Sequence, residues 1–127
     1  LLARYQQLAT LADAVVVEGA GGFSVPLSDA HTGADLAQAL GLPVILVVGL
    51  RLGCLSHASL TAQAIRSSGL PLAGWVANRL NPSMQAQDDN IAWLQQHLNA
   101  PLLADIPYQT VPDARAVNLT LPPLNPS

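Results

Sequence analysis

The stretch Val15-Val16-Val17-Glu18-Gly19-Ala20-Gly21-Gly22 decides how this chain is read. Three successive β-branched residues after Ala12-Asp13-Ala14 predict a strand buried on both faces, as in a parallel sheet. The strand stops at a carboxylate and runs into glycines. In open α/β sheets ligands collect beyond the carboxyl ends of the strands, which puts Glu18 at the expected site. Glycine lets backbone N–H groups close on an anion with no Cβ in the way. A hydrophobic strand, a Glu and glycine-rich backbone together suit Mg²⁺–phosphate chemistry: the carboxylate reaches the hard cation, directly or through water, and the amides hold phosphate oxygens. Taken alone, the pattern fits a tight strand-to-loop turn with an exposed Glu equally well.

The surrounding chain supplies the rhythm. Residues 1–12 place Leu1, Tyr5, Leu8 and Ala12 on one helical face and feed directly into the Glu18 strand. No capping residue precedes Leu1, which raises the expectation of a fragment. Pro26 and Ser28-Asp29-Ala30-His31 form a loop; Thr32 with Asp35 makes a capping box for a helix over Gly33–Leu40, stopped by Gly41. Residues 43–49 are apolar throughout and read as a central or nearly central strand. A loop over 50–56 enters a helix over 55–68, with Leu55, Ala58, Ala62 and Ile65 inward and Gly69 closing it. A strand over 72–78, a Pro82 loop, a helix over 87–98 (Ile91, Leu94 and Leu98 inward) and a strand over 102–106 follow. The tail from Pro107, with four further prolines and no periodicity, reads as extended or loop-like. The result is an α/β fold with four parallel strands, helices on both faces and right-handed crossovers, and no second-domain linker within 1–127.

Composition narrows the classes. The 127 residues are the size of one domain. Only 10% are charged, against roughly 25% in an average soluble domain, so surface is expected to be covered by a partner subunit or by further sequence. A net charge of −3 without a basic patch argues against nucleic acid. No apolar run approaches the roughly 20 residues of a membrane span and Leu1 does not open a signal peptide, so a cytoplasmic chain with no membrane partner is expected. One cysteine, Cys54, excludes an internal disulfide, and His31, His57 and His97 lack metal-ligand spacing. The five basic residues, Arg4, Arg51, Arg66, Arg79 and Arg115, are all arginines; there is no lysine, and Glu18 is the sole glutamate.

Four strand ends carry polar or glycine-rich residues: 18–22, 49–56, Asn78-Arg79 and Asp105-Ile106-Pro107. A parallel sheet brings them to one edge. Ser56, near a helix N-terminus, either helps receive an anion or simply caps the helix. Cys54 reads as a buried small residue rather than a nucleophile, and His57 as a surface or interface residue. Asn78 offers the donor and acceptor needed to read an adenine edge, or else caps a strand end.

These stretches resemble one family. Residues 15–22 with Pro26-Leu27-Ser28-Asp29, residues 43–49 with Leu52-Gly53-Cys54, residues 72–78, Pro101-Leu102-Leu103 and Ile106-Pro107 are together similar to dethiobiotin synthetase, in one register through Val117-Asn118-Leu119. Glu-Gly-Ala-Gly-Gly alone would indicate only the wider P-loop NTPase-like group. The resemblance implies an ATP- and Mg²⁺-dependent ligase of biotin biosynthesis, forming the ureido ring of dethiobiotin from 7,8-diaminopelargonate and CO₂ through a carbamate and a carbamic-phosphoric anhydride. It implies that Glu18 helps hold Mg²⁺ and that Gly19, Ala20, Gly21 and Gly22 line the phosphate and diamine site. Asn78 would bind adenine, flanked by Ile106, Pro107 and Tyr108. Gly53, Cys54, Leu55 and Ser56 would lie at a homodimer interface and receive the substrate carboxylate from the neighbouring protomer's site. Ser56 stands where the family often has Asn.

The family's first strand and its phosphate loop G-x-x-x-x-G-K-T have no counterpart in this sequence. Residues 1–127 are therefore expected to be the C-terminal portion of a single P-loop-type α/β domain, inactive without the missing N-terminal segment. Competing readings are a non-catalytic binding module derived from a P-loop protein, and another amidoligase or ATPase of that group.

Overall fold

The structure, a computed structural model, describes residues 1–121. The chain forms two compact units, 1–42 and the part from Pro43 onward.

In the first unit, helix α1 spans Leu2–Ala9 and buries none of its residues. The face expected over residues 1–12 does not form, because the helix ends before Ala12 and Thr10 turns the chain by donating to the Gln7 carbonyl at 2.8 Å. Leu1 and Leu8 are 83% and 54% exposed. The expected strand at Val15, Val16 and Val17 is also absent: the segment makes no ladder, and Val16 is exposed. β-branched residues favour extended backbone, but a strand exists only where a neighbour pairs with it. The capping box forms as read. The Thr32 N–H donates to Asp35 Oδ2 at 2.6 Å and the Asp35 N–H to Thr32 Oγ1 at 3.3 Å. The bond from the Thr32 backbone, and after it the Thr32 hydroxyl donating to the same Oδ2 at 2.8 Å, hold the Asp35 carboxyl below the usual carboxylate range. Helix α2 (Gly33–Leu40) ends at Gly41 in the left-handed conformation.

The second unit runs β1 (Val44–Leu50), α3 (Cys54–Ser67), β2 (Leu72–Arg79), α4 (Gln87–His97) and β3 (Leu102–Ile106). The strands are parallel in the order β1-β2-β3, with Val47 opposite Val76 and Ala77 opposite Asp105. Among the described residues three strands stand where four were expected, the missing one being 15–17. Right-handed crossovers that keep stepping in one direction put their helices on one face. Accordingly α3 and α4 share a core, rather than lying on opposite faces of this sheet. Leu50, Trp75, Ala77, Ala58, Ala62, Ile91, Leu94 and Leu98 meet there, with Trp75 fully enclosed. On the other face Val76, Leu103 and Ala104 form a smaller cluster. There a Cβ at Gly74 would come within 2.6 Å of Leu103 Cγ, so only glycine lets that leucine lie flat on β2.

β1 is an edge of this sheet, not a central strand: Leu46, Val48 and Leu50 turn to the core while Ile45 and Val47 are 37% and 60% exposed. The α3 stripe forms as read, with Leu55 partly buried against the core beside Ala58 and Ala62, and it gains Cys54, buried one position earlier because the helix starts directly after its N-cap Gly53. Beyond β3, Asp113 caps a 3₁₀ turn over Ala114–Ala116, and the Thr120 N–H donates to the Leu103 carbonyl at 3.2 Å. The tail thus passes along β3. Pro122, Pro123 and Pro126 lie outside the described residues.

Candidate functional site

Within the first unit, Glu18 is exposed and its carboxylate has no hydrogen bond or ion pair among the described residues. Gly21 and Gly22 follow at φ 85° and 119°, conformations that L side chains rarely adopt. The chain then closes on itself. Gly33 N–H donates to the Val25 carbonyl at 2.7 Å, Pro26 bridges Thr32, and the Leu27 and Ser28 amides donate to the His31 carbonyl at 2.8 and 3.1 Å. A glycine-rich backbone arc is left open to ligand beside a free carboxylate. No three His, Cys, Asp or Glu side chains converge among the described residues. Mg²⁺ asks little of protein, one or two carboxylates completed by phosphate oxygens and water, so Glu18 fits as a single ligand and not as an all-protein cage.

In the second unit the candidate residues lie at the C-terminal ends of the strands. Past β1 the chain turns through Gly53 at φ 90°, the N-cap of α3. The Cys54 N–H is taken by the Arg51 carbonyl at 3.0 Å, whereas the Leu55 and Ser56 amides have no acceptor among the described residues. Two free amides at a helix N-terminus favour an anion. Ser56 is exposed and is not the cap; that role falls to Gly53. Cys54 is only 3% exposed, the buried small residue the sequence predicted. Over this turn a cleft of about 610 Å³ opens, its other wall made by Met84, Gln85, Ala86 and Asn90. That wall went unread in the sequence. Its shape depends on Ala86 at φ 58°, capping α4 in a left-handed conformation that no motif announces.

Asn78 is the register partner of Gly49 on one side and Ile106 on the other. Its amide has no partner among the described residues. Ile106 ends β3, and Pro107 and Tyr108 continue exposed beyond it. The structure therefore brings Asn78 and Ile106 side by side.

Next to Asn78 stands a group that the sequence did not single out. Arg79 Nε and Nη2 donate to the two carboxylate oxygens of Asp105 at 2.8 and 2.7 Å, and Nη2 also reaches Asp88 Oδ1 at 2.7 Å. Nη1 donates to Gln87 Oε1 at 3.4 Å, and buried Gln87 donates in turn to the Asn81 carbonyl. Asp105 first, then Asp88, raises the guanidinium's pKa above its usual value. Only the fold brings these partners together.

Comparison with known proteins adds a second line. Residues 1–115 match the AAA domain family. The chain is 61% identical over 109 residues to the ATP-dependent dethiobiotin synthetase BioD of Ralstonia nicotianae, an alignment covering 86% of this chain and 48% of that protein. It is 52% identical over 119 residues to the ATP-dependent dethiobiotin synthetase BioD of Aromatoleum aromaticum, covering 94% and 53%. The chain spans about half the length of the curated relatives it matches. Among the described residues no helix is long and apolar enough to cross a membrane.

Proposed function

The chain belongs to the AAA domain family, and from that premise we propose that it is the C-terminal portion of a dethiobiotin synthase, a cytoplasmic homodimer closing the ureido ring of dethiobiotin from 7,8-diaminopelargonate, CO₂ and ATP. The observation that carries this is the 61% identity, over 109 residues, to a protein named for that activity. The phosphate loop with its lysine would come from sequence outside residues 1–127.

In this reading Glu18 holds Mg²⁺, which when bound neutralises phosphate charge. The Gly19–Gly22 arc offers amides to phosphate and substrate. Asn78 reads the adenine edge, with Ile106, Pro107 and Tyr108 flanking the base. The free amides of Leu55 and Ser56, at the turn containing Gly53 and Cys54, take the carboxylate of a diamine bound to the partner protomer. The cleft against Met84–Ala86 supports that assignment, since it gives the carboxylate a walled place rather than a bare helix end.

The test is a chimera in which this chain replaces the segment it matches in the Ralstonia nicotianae protein. Dethiobiotin formed from ATP, diamine and bicarbonate is the expected result. An inactive but folded chimera would favour a binding module.

Two substitutions in the chimera probe the site. Glu18→Gln should preserve folding and lower Mg²⁺-dependent turnover by about 10- to 100-fold, the scale seen when a metal loses an anionic partner. Turnover and metal dependence at the unmodified level would remove Glu18 from the metal site. Asn78→Leu should raise the KM for ATP about tenfold, as expected when a base edge loses its polar partner, with the KM for the diamine unchanged. Equal losses for both substrates would point to damage at the strand end.

A further inference from the structure

We propose that Arg79 is a positioning residue for the nucleotide: its guanidinium ties the end of β3 to the end of β2 and fixes the spacing at which Asn78 and the 106–108 backbone receive the base. The inference rests on the adenine assignment of Asn78 made above.

Side chains alternate along β2. Trp75 and Ala77 point into the core shared with α3 and α4, and Arg79 continues that row to reach Asp88 on α4. Asn78 therefore points to the opposite face, held between a fully buried residue and an anchored one. β3 is five residues long and ends at Ile106, the register partner of Asn78. Pro107 follows, with no N–H to give to a ladder. Past Ile106 the described residues show no ladder between the two strands, so the last tie there is made by side chains. It is a strong one, since Arg79 grips both oxygens of Asp105, one position before Ile106. Bidentate guanidinium–carboxylate pairs fix geometry as well as distance. The side chains are 25% and 37% exposed, so water screens this pair less than one fully at the surface.

Arg79 is also shared. Its Nη2 serves Asp105 and Asp88 together, one from β3 and one from α4. Without the guanidinium the two carboxylates would lose their shared counter-charge, and the β3 end, with Ile106 to Tyr108, would lose its side-chain tie to β2. Arg79 thus acts on the Asn78 side of the strand from the opposite face of β2.

The test uses the active chimera. Arg79→Met should raise the KM for ATP about tenfold and lower the preference for ATP over GTP, while kcat and the KM for the diamine stay within about twofold. Arg79→Lys keeps the charge but loses the fork, and should raise the KM for ATP about threefold. Circular dichroism and thermal unfolding are recorded for both. If Arg79→Met fails to fold, Arg79→Lys decides: a selective rise in the KM for ATP supports the proposal, and an unchanged KM overturns it. Parallel losses for ATP and diamine, or an unaltered ATP-to-GTP preference, would reduce Arg79 to a general stabiliser and overturn it too. Should the unmodified chimera make no dethiobiotin at all, the enzyme assignment fails and takes this inference with it. An active chimera indifferent to Arg79 overturns the inference alone.

Discussion

Expressed by themselves, residues 1–127 should form no measurable dethiobiotin, with turnover below that of the chimera on the order of 10³-fold or more, the scale on which single cationic groups act in phosphoryl transfer. The proposed chemistry transfers phosphoryl to a carbamate, and such reactions rest on positioning and on cations that draw off developing charge. This sequence contains no lysine and no phosphate loop. Glu18 and the following glycines offer a carboxylate and backbone amides, but nothing in them supplies an ammonium. The backbone argues the same way. Val16 is 92% exposed, Val17 45%, and Ile45 and Val47 stand out from an edge strand. Unpaired apolar edges template aggregation. The isolated chain should therefore give a broad, non-cooperative thermal transition and weak ATP binding, both cured in the chimera. A sharp transition with micromolar ATP affinity in the isolated chain would favour an autonomous binding module.

Trp75→Ala in the chimera should cost about 3–5 kcal/mol, the range for removing a buried aromatic ring. Trp75 has no exposed surface and joins Val48, Leu50, Ala58, Ala62, Leu94 and Leu98 in one cluster. Its loss would empty the layer between the sheet and both helices, lowering the melting temperature by about 10 °C. Trp75→Phe should cost much less. The indole Nε1 has no hydrogen-bond partner among the described residues, so phenylalanine gives up packing and is relieved of a buried donor. Calorimetry on the two variants checks the ordering; equal losses would mean that the indole N–H is satisfied after all.

What could be read from the sequence divides along physical lines. The strand over 43–49 was legible because an unbroken apolar run has few other uses, and Ile91, Leu94 and Leu98 because helical periodicity is local. The Thr32–Asp35 box lies within four residues and formed as expected. Val15 to Val17 looked equally clear, yet pairing is a relation between segments, and propensity cannot provide the partner. Whether β1 is central or at an edge is likewise a property of its neighbours. For the site, Asn78 beside Ile106 followed from strands that end together. The Arg79–Asp105–Asp88 cluster did not, since its members are separated by a helix and a strand and no local spacing links them. The cleft wall at Met84–Ala86 was hidden for another reason: it depends on an alanine in a left-handed turn, a conformation that residue type gives no hint of.

The strand order of the second unit has a kinetic consequence. β1, β2 and β3 are neighbours in space in the order in which they occur in the chain, so each newly made strand finds its partner one helix back. Loop-closure entropy is then met in short instalments, and contact order stays low for a sheet. Assembly can proceed vectorially during synthesis, with β1 laid down as the first template and α3 and α4 condensing behind it onto one side. The Arg79 fork can close only when β3 arrives, which makes the junction of β2, α4 and β3 the last of these ties to form.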